Sequence, residues 1–368
     1  MHYLWQHLEH LLAVYDGKLP LHHYLKSYFK AQPKLGSRDR RGLSDAVYAW
    51  YRAGKAVRHL SADEREQRLA AMKLCRLRPK AFAAYLDDRE IQADLQAIFP
   101  YDILFSEGMM AGEWRASMLV QPRLFLRIRK DKPGVSARLS KEGITHEWIS
   151  DSCLALPNGT RLEGVLPDDA YVVQDASSQA TGAFLNPVRN ESWWDVCSGA
   201  GGKSLMLKDA QPDVPLLVSD IRASILQNLA ARFRLYHHRQ PEAKVMDARH
   251  AEELARQLGG RRFDGIVCDV PCTGSGTWAR TPEACYFFQP ETLAGYSERQ
   301  QAILSNAAEY LRPAGRIIYI TCSVFREENE GVTESVAKAK GLVIVSSQLI
   351  NGIAIGADSL FVAVLRKA

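Results

Sequence analysis

No stretch of the chain approaches the roughly 20 uninterrupted apolar residues that a membrane-spanning helix needs, although 46% of its 368 residues are apolar. The opening MHYLWQHLEHLLAVYDGK has neither a basic start nor a small-residue cleavage site, so an unexported protein is expected. The seven cysteines are odd in number and scattered, which excludes a secreted disulfide framework and points to a reducing cytoplasm. Cys268, Cys272, Cys285 and Cys322 contain no closely spaced second pair, so no metal site is expected. Internal repeats and low-complexity linkers are also missing. These absences leave a soluble, cytoplasmic, monomeric globular protein with no membrane or metal partner, long enough for two or three domains of about 100–200 residues.

Net charge is small, +5, but uneven. Between Gln121 and Lys141 seven cations face Asp131 alone, and residues 27–41 (SYFKAQPKLGSRDRR) carry five against Asp39. Local excess of this kind suits a polyanionic partner, or else is a solvated basic face.

The chain changes texture twice. Leu4, Leu8, Leu11, Leu12 and Tyr15 recur at helical spacing, as do Leu21, Tyr24, Leu25 and Tyr28, then Leu43, Val47, Trp50 and Val57, which predicts a helical bundle over residues 1–112. Residues 113–170 read as a small β-α-β module: RLFLRIR alternates, Pro133-Gly134 breaks it, VSARLSKEG is helical and ITHEWISDSCLALP returns to strand. Arg123, Arg127 and Arg129 fall on alternate positions, hence on one sheet face beside Lys130, and are the expected RNA-backbone contacts. From Tyr171 to the end, strands (WWDVCSG, LLVSD, AKVMD, FDGIVCDV, GRIIYITCS, LVIVSSQL) alternate with helices, which implies a mostly parallel α/β sheet covered on both faces. The closing SLFVAVLRK is expected as an antiparallel strand at the sheet edge.

Ligands of such sheets bind outside the carboxyl ends of the strands. The first strand runs into Asp195-Val-Cys197-Ser198-Gly199-Ala200-Gly201-Gly202-Lys203-Ser204, whose glycines permit close backbone approach. A Walker loop fails because Cys197 stands where its first glycine belongs, and the dinucleotide fingerprint fails at Ser204. Three later strands end at Asp220, Asp247 and Asp269, a rim suited to a nucleoside, with helix N-capping as the alternative for Asp247. Beyond that rim lie Cys272, three residues past Asp269, and Cys322, which ends the next strand. If the two strands are neighbours, both thiols face one cleft; the alternative for either is a small buried hydrophobe.

DVCSGAGGKS, SDIRASILQNLAAR, FDGIVCDVPCTGSG and YITCSVFREENE, in this order and preceded by VVQDASSQATG, resemble the RNA 5-methylcytosine methyltransferases of the Sun/RsmB (NOL/NOP/Sun) family. The likeness covers residues 171–368, and extends more weakly to a NusB-like helical domain (residues 20–51) and a small RRM-like module (115–170) of the ribosomal-RNA members. It implies a Rossmann-like class I methyltransferase sheet and S-adenosylmethionine as cofactor. Cys197–Gly202 would then hold the methionine part, Asp220 the ribose, Asp247 the adenine, with Lys203 and Asp269 near donor and substrate. It further implies Cys322 as the nucleophile that adds to carbon 6 of a cytosine, Cys272 as the group that helps release the product, and Asp269 as a hydrogen-bond partner near ring nitrogen 3. Bacterial small-subunit ribosomal RNA is the implied substrate, transfer RNA the alternative. A DNA cytosine methyltransferase is disfavoured by Thr273, where that class has glutamine, and by the Thr321-Cys322 pair. A non-catalytic assembly factor is disfavoured by the complete set Cys322, Cys272, Asp269 and Lys203. Ser198-Gly199-Ala200 replaces the family's usual Ala-Ala-Pro, so a looser loop is expected there, and the end lacks the usual Asp-Gly-Phe-Phe.

Overall fold

A computed structural model describes residues 2–367, with the side chain of His2 left aside. The chain forms two units, one made of residues 1–103, 110–121 and 277–290, the other of 104–109, 122–276 and 291–368.

The first unit is helical: α1 (His2–Val14), α2 (Leu21–Ala31), α3 (Ser37–Val57), α4 (Glu64–Leu74) and the short α5 (Ala111–Ser117). The predicted stripes supply its core, where Leu8, Leu11, Leu21, Leu25, Leu43 and Val47 are buried together. Residues 75–110 hold only short 3-10 turns, because Pro79 and the acidic run Asp87-Asp88-Arg89-Glu90 interrupt any apolar period. The unit does not stop at residue 112 as expected. Trp114 is buried, and the buried Arg52 guanidinium donates to the carbonyls of Met118 (2.9 Å) and Val120 (3.4 Å) and to Gln121 Oε1, fastening the end of α5. Residues 277–290 also belong here, not with the catalytic half: Glu283 accepts from Leu21 N at 3.0 Å, and Tyr286 meets Tyr51 edge-on at 5.1 Å.

The second unit holds two sheets. The smaller is antiparallel, with order β2-β3-β1-β4 in β1 (Leu124–Ile128), β2 (Glu147–Trp148), β3 (Cys153–Leu156) and β4 (Tyr171–Val173), and carries α6 (Lys132–Lys141). The small module therefore ends at Val173 rather than at 170, since Val172 pairs with Arg127.

The larger sheet follows with α7 (Ala176–Ala180), β5 (Trp193–Asp195), α8 (Gly202–Ala210), β6 (Leu216–Asp220), α9 (Ala223–Leu235), β7 (Glu242–Val245), α10 (Ala251–Leu258) and β8 (Phe263–Asp269). After α11 (Pro282–Tyr286), in the helical unit, come α12 (Thr292–Ala308), β9 (Leu311–Thr321), α13 (Glu330–Lys340), β10 (Leu342–Asn351) and β11 (Ser359–Lys367). Strand order is β10-β11-β9-β8-β5-β6-β7, with β7 to β9 parallel and β11 antiparallel to both its neighbours. The closing strand is thus antiparallel as expected but not at the edge. Residues 359–365 are buried without interruption, which suits an interior strand, whereas β10 alternates with exposed Val343, Val345 and Ser346 and takes the edge. Strand order reverses between β5 and β8, so a crevice opens at their carboxyl ends, where the predicted site residues lie.

Candidate active site

The loop between β5 and α8 is closely tied, contrary to the looser loop expected. Ser198 donates through its backbone N and its Oγ to Ser219 O (2.9 and 3.1 Å), Gly201 N donates to Ser198 O (2.8 Å), and Arg232 donates to Ala200 O (2.6 Å). Gly199 and Gly201 have φ of 51° and 83°, values that side chains resist. At Gly201 a Cβ would also meet Leu229 at 2.9 Å. Gly199 N donates to Asp220 Oδ2 at 3.1 Å, which joins the loop to the end of the neighbouring strand.

Beside this loop is a cavity of about 540 Å³, within the range of small-molecule sites. Cys197, Asp220, Asp247 and Asp269 line it, so four of the ten residues expected to hold a cofactor converge there; Ser198 to Lys203 do not. Met246, Val270 and Ile303 add apolar walls, and Pro271 carries the lining to the residue before Cys272. Acceptors on one side and apolar side chains around them fit a ribose bearing a flat base. Asp247 is not an N-cap: α10 starts four residues later, and the Asp247 carboxylate accepts from Arg249 N at 3.0 Å.

Two of the three rim carboxylates, Asp220 and Asp247, each hold the arginine two residues further along. Arg222 contacts Asp220 at 3.1 Å and Arg249 contacts Asp247 at 2.5 Å. That partner's hydrogen bond holds the Asp247 carboxyl below the usual carboxylate range. These arginines and Arg299, all lining the cavity, were missed. The repeated Asp-x-Arg of Asp220-Ile-Arg222 and Asp247-Ala-Arg249 was the available signal.

Lys203, on α8, is buried and meets Asp269 Oδ2 at 3.1 Å and Ser178 Oγ, on α7, at 3.0 Å. Asp195 lies one strand away with no exposed surface; burial lifts its carboxyl to about 7, and its Oδ1 has no hydrogen-bond partner among the described residues.

The two cysteines meet. β8 and β9 are parallel neighbours, with Asp269 opposite Ile320, and Cys272 Sγ stands 3.2 Å from Cys322 Sγ. Both are free thiols, and Cys272 is held well above its ordinary pKa, first by the hydrogen bond with Cys322 and then by burial. Backbone and hydroxyl contacts join their turns: Gly276 N donates to Cys322 O (2.9 Å) and Val324 N to Ser275 Oγ (2.9 Å). Glu328, also missed, sits beneath them with no exposed surface, although an acidic run such as FREENE reads as a solvated helix start.

The expected basic face of β1 is not open. Arg127 and Arg129 do share a face, but both bind Asp209 of α8, at 2.5 and 2.6 Å, and their side chains are only 10% and 12% exposed. Burial raises the Asp209 carboxyl, yet the two guanidiniums outweigh it and hold it below the usual range. They fix the small sheet to the larger one. Arg123 pairs with Glu147 at 2.7 Å, and Lys130, half exposed, pairs with Asp169.

Residues 182–362 match the family 16S rRNA methyltransferase RsmB/F. Ribosomal RNA small subunit methyltransferase B of Proteus mirabilis is 31% identical over 221 residues, 57% of this chain and 50% of that protein. Its namesake from Klebsiella pneumoniae is 30% identical over 189 residues, 51% of this chain and 43% of the relative. The chain thus spans about half the length of the curated relatives it matches. Among solved structures, PH0851 covers 95% of both chains at a TM-score of 0.72 and 17% identity. NSun6 from Pyrococcus horikoshii with SFG covers 67% of this chain and 91% of that one, at a TM-score of 0.58 and 16% identity. These two establish the fold, and no helix among the described residues is long and apolar enough to cross a membrane.

Proposed function

We propose that this chain, whose residues 182–362 match the RsmB/F methyltransferase family, methylates carbon 5 of a cytosine in 16S ribosomal RNA through a covalent bond from Cys322. The observation that carries the reading is the pair of thiols 3.2 Å apart at the ends of adjacent strands, directly beyond the wall of a nucleoside-sized cavity. S-adenosylmethionine, bound in that cavity, supplies the electrophilic methyl group. Asp220 would accept from ribose hydroxyls, and Met246, Val270, Ile303 and Asp247, which line the same cavity, would hold the adenine. Of the tied loop Cys197–Gly202, Cys197 lines the cavity and would meet the methionine part.

Carbon 5 of cytosine is a weak nucleophile. Addition of the Cys322 thiolate to carbon 6 would give carbon 5 enamine character, so that it could take a sulfonium's methyl group, the donor sulfur leaving as a neutral thioether. Asp269, oriented by Lys203 at 3.1 Å, would carry a proton to ring nitrogen 3 and donate it there as addition at carbon 6 makes that nitrogen more negative. Removal of the carbon 5 proton by water acting as base would then expel Cys322 as a thiolate, and the Cys272 thiol next to the departing sulfur can hand it a proton. The base must leave its stack to reach the thiols, which favours a loop or bulge of folded RNA.

Lys130 and Arg123 remain the RNA contacts proposed on the small module, joined by the exposed Lys30, Lys34, Arg38 and Arg41 of the helical unit. The test is methyl transfer from labelled S-adenosylmethionine to 16S ribosomal and transfer RNA side by side, with the labelled nucleoside identified after digestion. Label in 5-methylcytidine from ribosomal RNA supports the reading; label only in transfer RNA contradicts its substrate, and label in any other nucleoside its chemistry.

A further inference from the structure

Glu328 has no exposed surface, and all its side-chain hydrogen bonds come from neutral donors. Oε1 accepts from Thr273 N at 2.8 Å and from Gln300 Nε2 at 2.9 Å. Oε2 accepts from Thr273 Oγ1 at 2.6 Å and Ser323 Oγ at 2.5 Å. Thr273 follows Cys272 and Ser323 follows Cys322, so one carboxylate grips the residue after each thiol. Gln300 extends the grip by donating to Pro271 O at 3.0 Å, the carbonyl on the other side of Cys272. A buried carboxylate with no cation against it among the described residues is costly, and a neutral hydrogen-bonding network would close these turns at lower cost. The charge itself therefore calls for a role.

We propose that Glu328 is a positioning residue of the two-thiol site: its carboxylate locks the Cys272 turn to the Cys322 turn and keeps Cys272 a neutral thiol, leaving Cys322 to carry the negative charge. The proposal rests on the assignment of Cys322 as nucleophile. Two equivalent thiols 3.2 Å apart would share one ionisation without preference for either sulfur. Glu328 breaks that symmetry by its contacts: Thr273, beside Cys272, gives it both its N–H (2.8 Å) and its hydroxyl (2.6 Å), whereas Ser323, beside Cys322, gives its hydroxyl alone (2.5 Å). Three groups face Cys272. They are Cys322, Glu328 and, from β9, the buried phenol of Tyr319, which donates to Glu328 O at 2.6 Å. Cys272 is raised by its hydrogen bond with Cys322, by burial, and by the charge of Glu328; Tyr319 is raised by burial and by both neighbours. A resolving group that stays protonated does not compete to attack the base.

The test is site-resolved alkylation by iodoacetamide from pH 6 to 10, read by mass spectrometry on the full chain without RNA. In the native protein Cys322 should label at least about tenfold faster than Cys272 at pH 8, one unit of pKa difference being one decade. Glu328→Gln keeps the shape and removes the charge; it should speed Cys272 labelling about tenfold at pH 8 and shift the Cys272 midpoint down, with Cys322 changing less than twofold. Glu328→Ala, which also removes the lock, should lower methyl transfer by about a hundredfold, with Glu328→Gln recovering part of it. Equal labelling of the two thiols in the native protein, or a Cys272 midpoint unmoved in Glu328→Gln, overturns the proposal. Neither readout needs RNA. If the nucleophile assignment is what fails, it shows separately, as absence of a covalent RNA adduct in Cys272→Ala.

Discussion

The donor cavity and the two-thiol site share strand β8, yet they are built in opposite ways. Around the cavity, two of the three lining carboxylates, Asp220 and Asp247, are held by arginines that are themselves 62% and 43% exposed, Arg222 and Arg249. Around the thiols, Glu328, Ser323, Thr321 and Asn329 are completely buried, and the hydrogen bonds run between turns of the protein. The first arrangement can open and exchange partners at small cost, as exposed ion pairs do. The second cannot move without breaking a buried network. In the proposed reaction a diffusible donor must enter and leave, whereas the distance between the proposed nucleophile and resolving thiol has to be fixed before the base arrives.

That contrast can be broken experimentally, beginning with the joint between its halves. Lys203→Ala leaves Asp269 without its ion pair, and we expect turnover to fall by at least about a hundredfold with donor affinity nearly unchanged. Equal losses in turnover and donor binding would place Lys203 with the cavity. On the cavity side, Asp220→Ala should weaken S-adenosylmethionine binding roughly ten- to a hundredfold, the effect of losing charge-assisted hydrogen bonds, measured by calorimetry.

A thermal readout follows from Asp195. Burial raises its carboxyl from its ordinary 3.8 to about 7, so the folded state holds a proton that the unfolded chain releases. Stability should therefore decline as pH rises from about 4 to about 7, then level off. Asp195→Asn should remove this decline, melting higher relative to the native protein at pH 8 than at pH 5; a constant difference across that window contradicts it. The smallest effect concerns the exposed rim. Removing Arg222 frees Asp220 for ligand, and Arg222→Ala should tighten donor binding by up to about threefold. Weaker binding would mean that Arg222 itself contacts the donor.

The sequence was most legible where one strand end carries one chemical group. Asp220, Asp269, Cys272 and Cys322 each follow an apolar run, and the parallel pairing of β8 and β9, the condition that the sequence left open, brings the two cysteines together. What pairs across the chain was not legible. Arg127 and Arg129 alternate as a surface strand would, but Asp209, 82 and 80 residues on, turns their face inward. Residues 277–290 sit in the middle of the catalytic half in sequence, and only Glu283 with Leu21 and Tyr286 with Tyr51 give their place away. β11 is apolar on both faces, which its terminal position masked. Glu328 escaped because acidic residues ahead of a helix are ordinarily solvated, and its burial depends on donors 55 and 28 residues away.

The central claim is the division of labour between the thiols, and covalent trapping tests it most directly. Cys322→Ala and Cys272→Ala are each incubated with 16S ribosomal RNA and S-adenosylmethionine, then resolved on a denaturing gel. The account predicts an RNA-linked protein band for Cys272→Ala, and neither band nor methylation for Cys322→Ala. A band or methylated RNA from Cys322→Ala, with none trapped by Cys272→Ala, would contradict it.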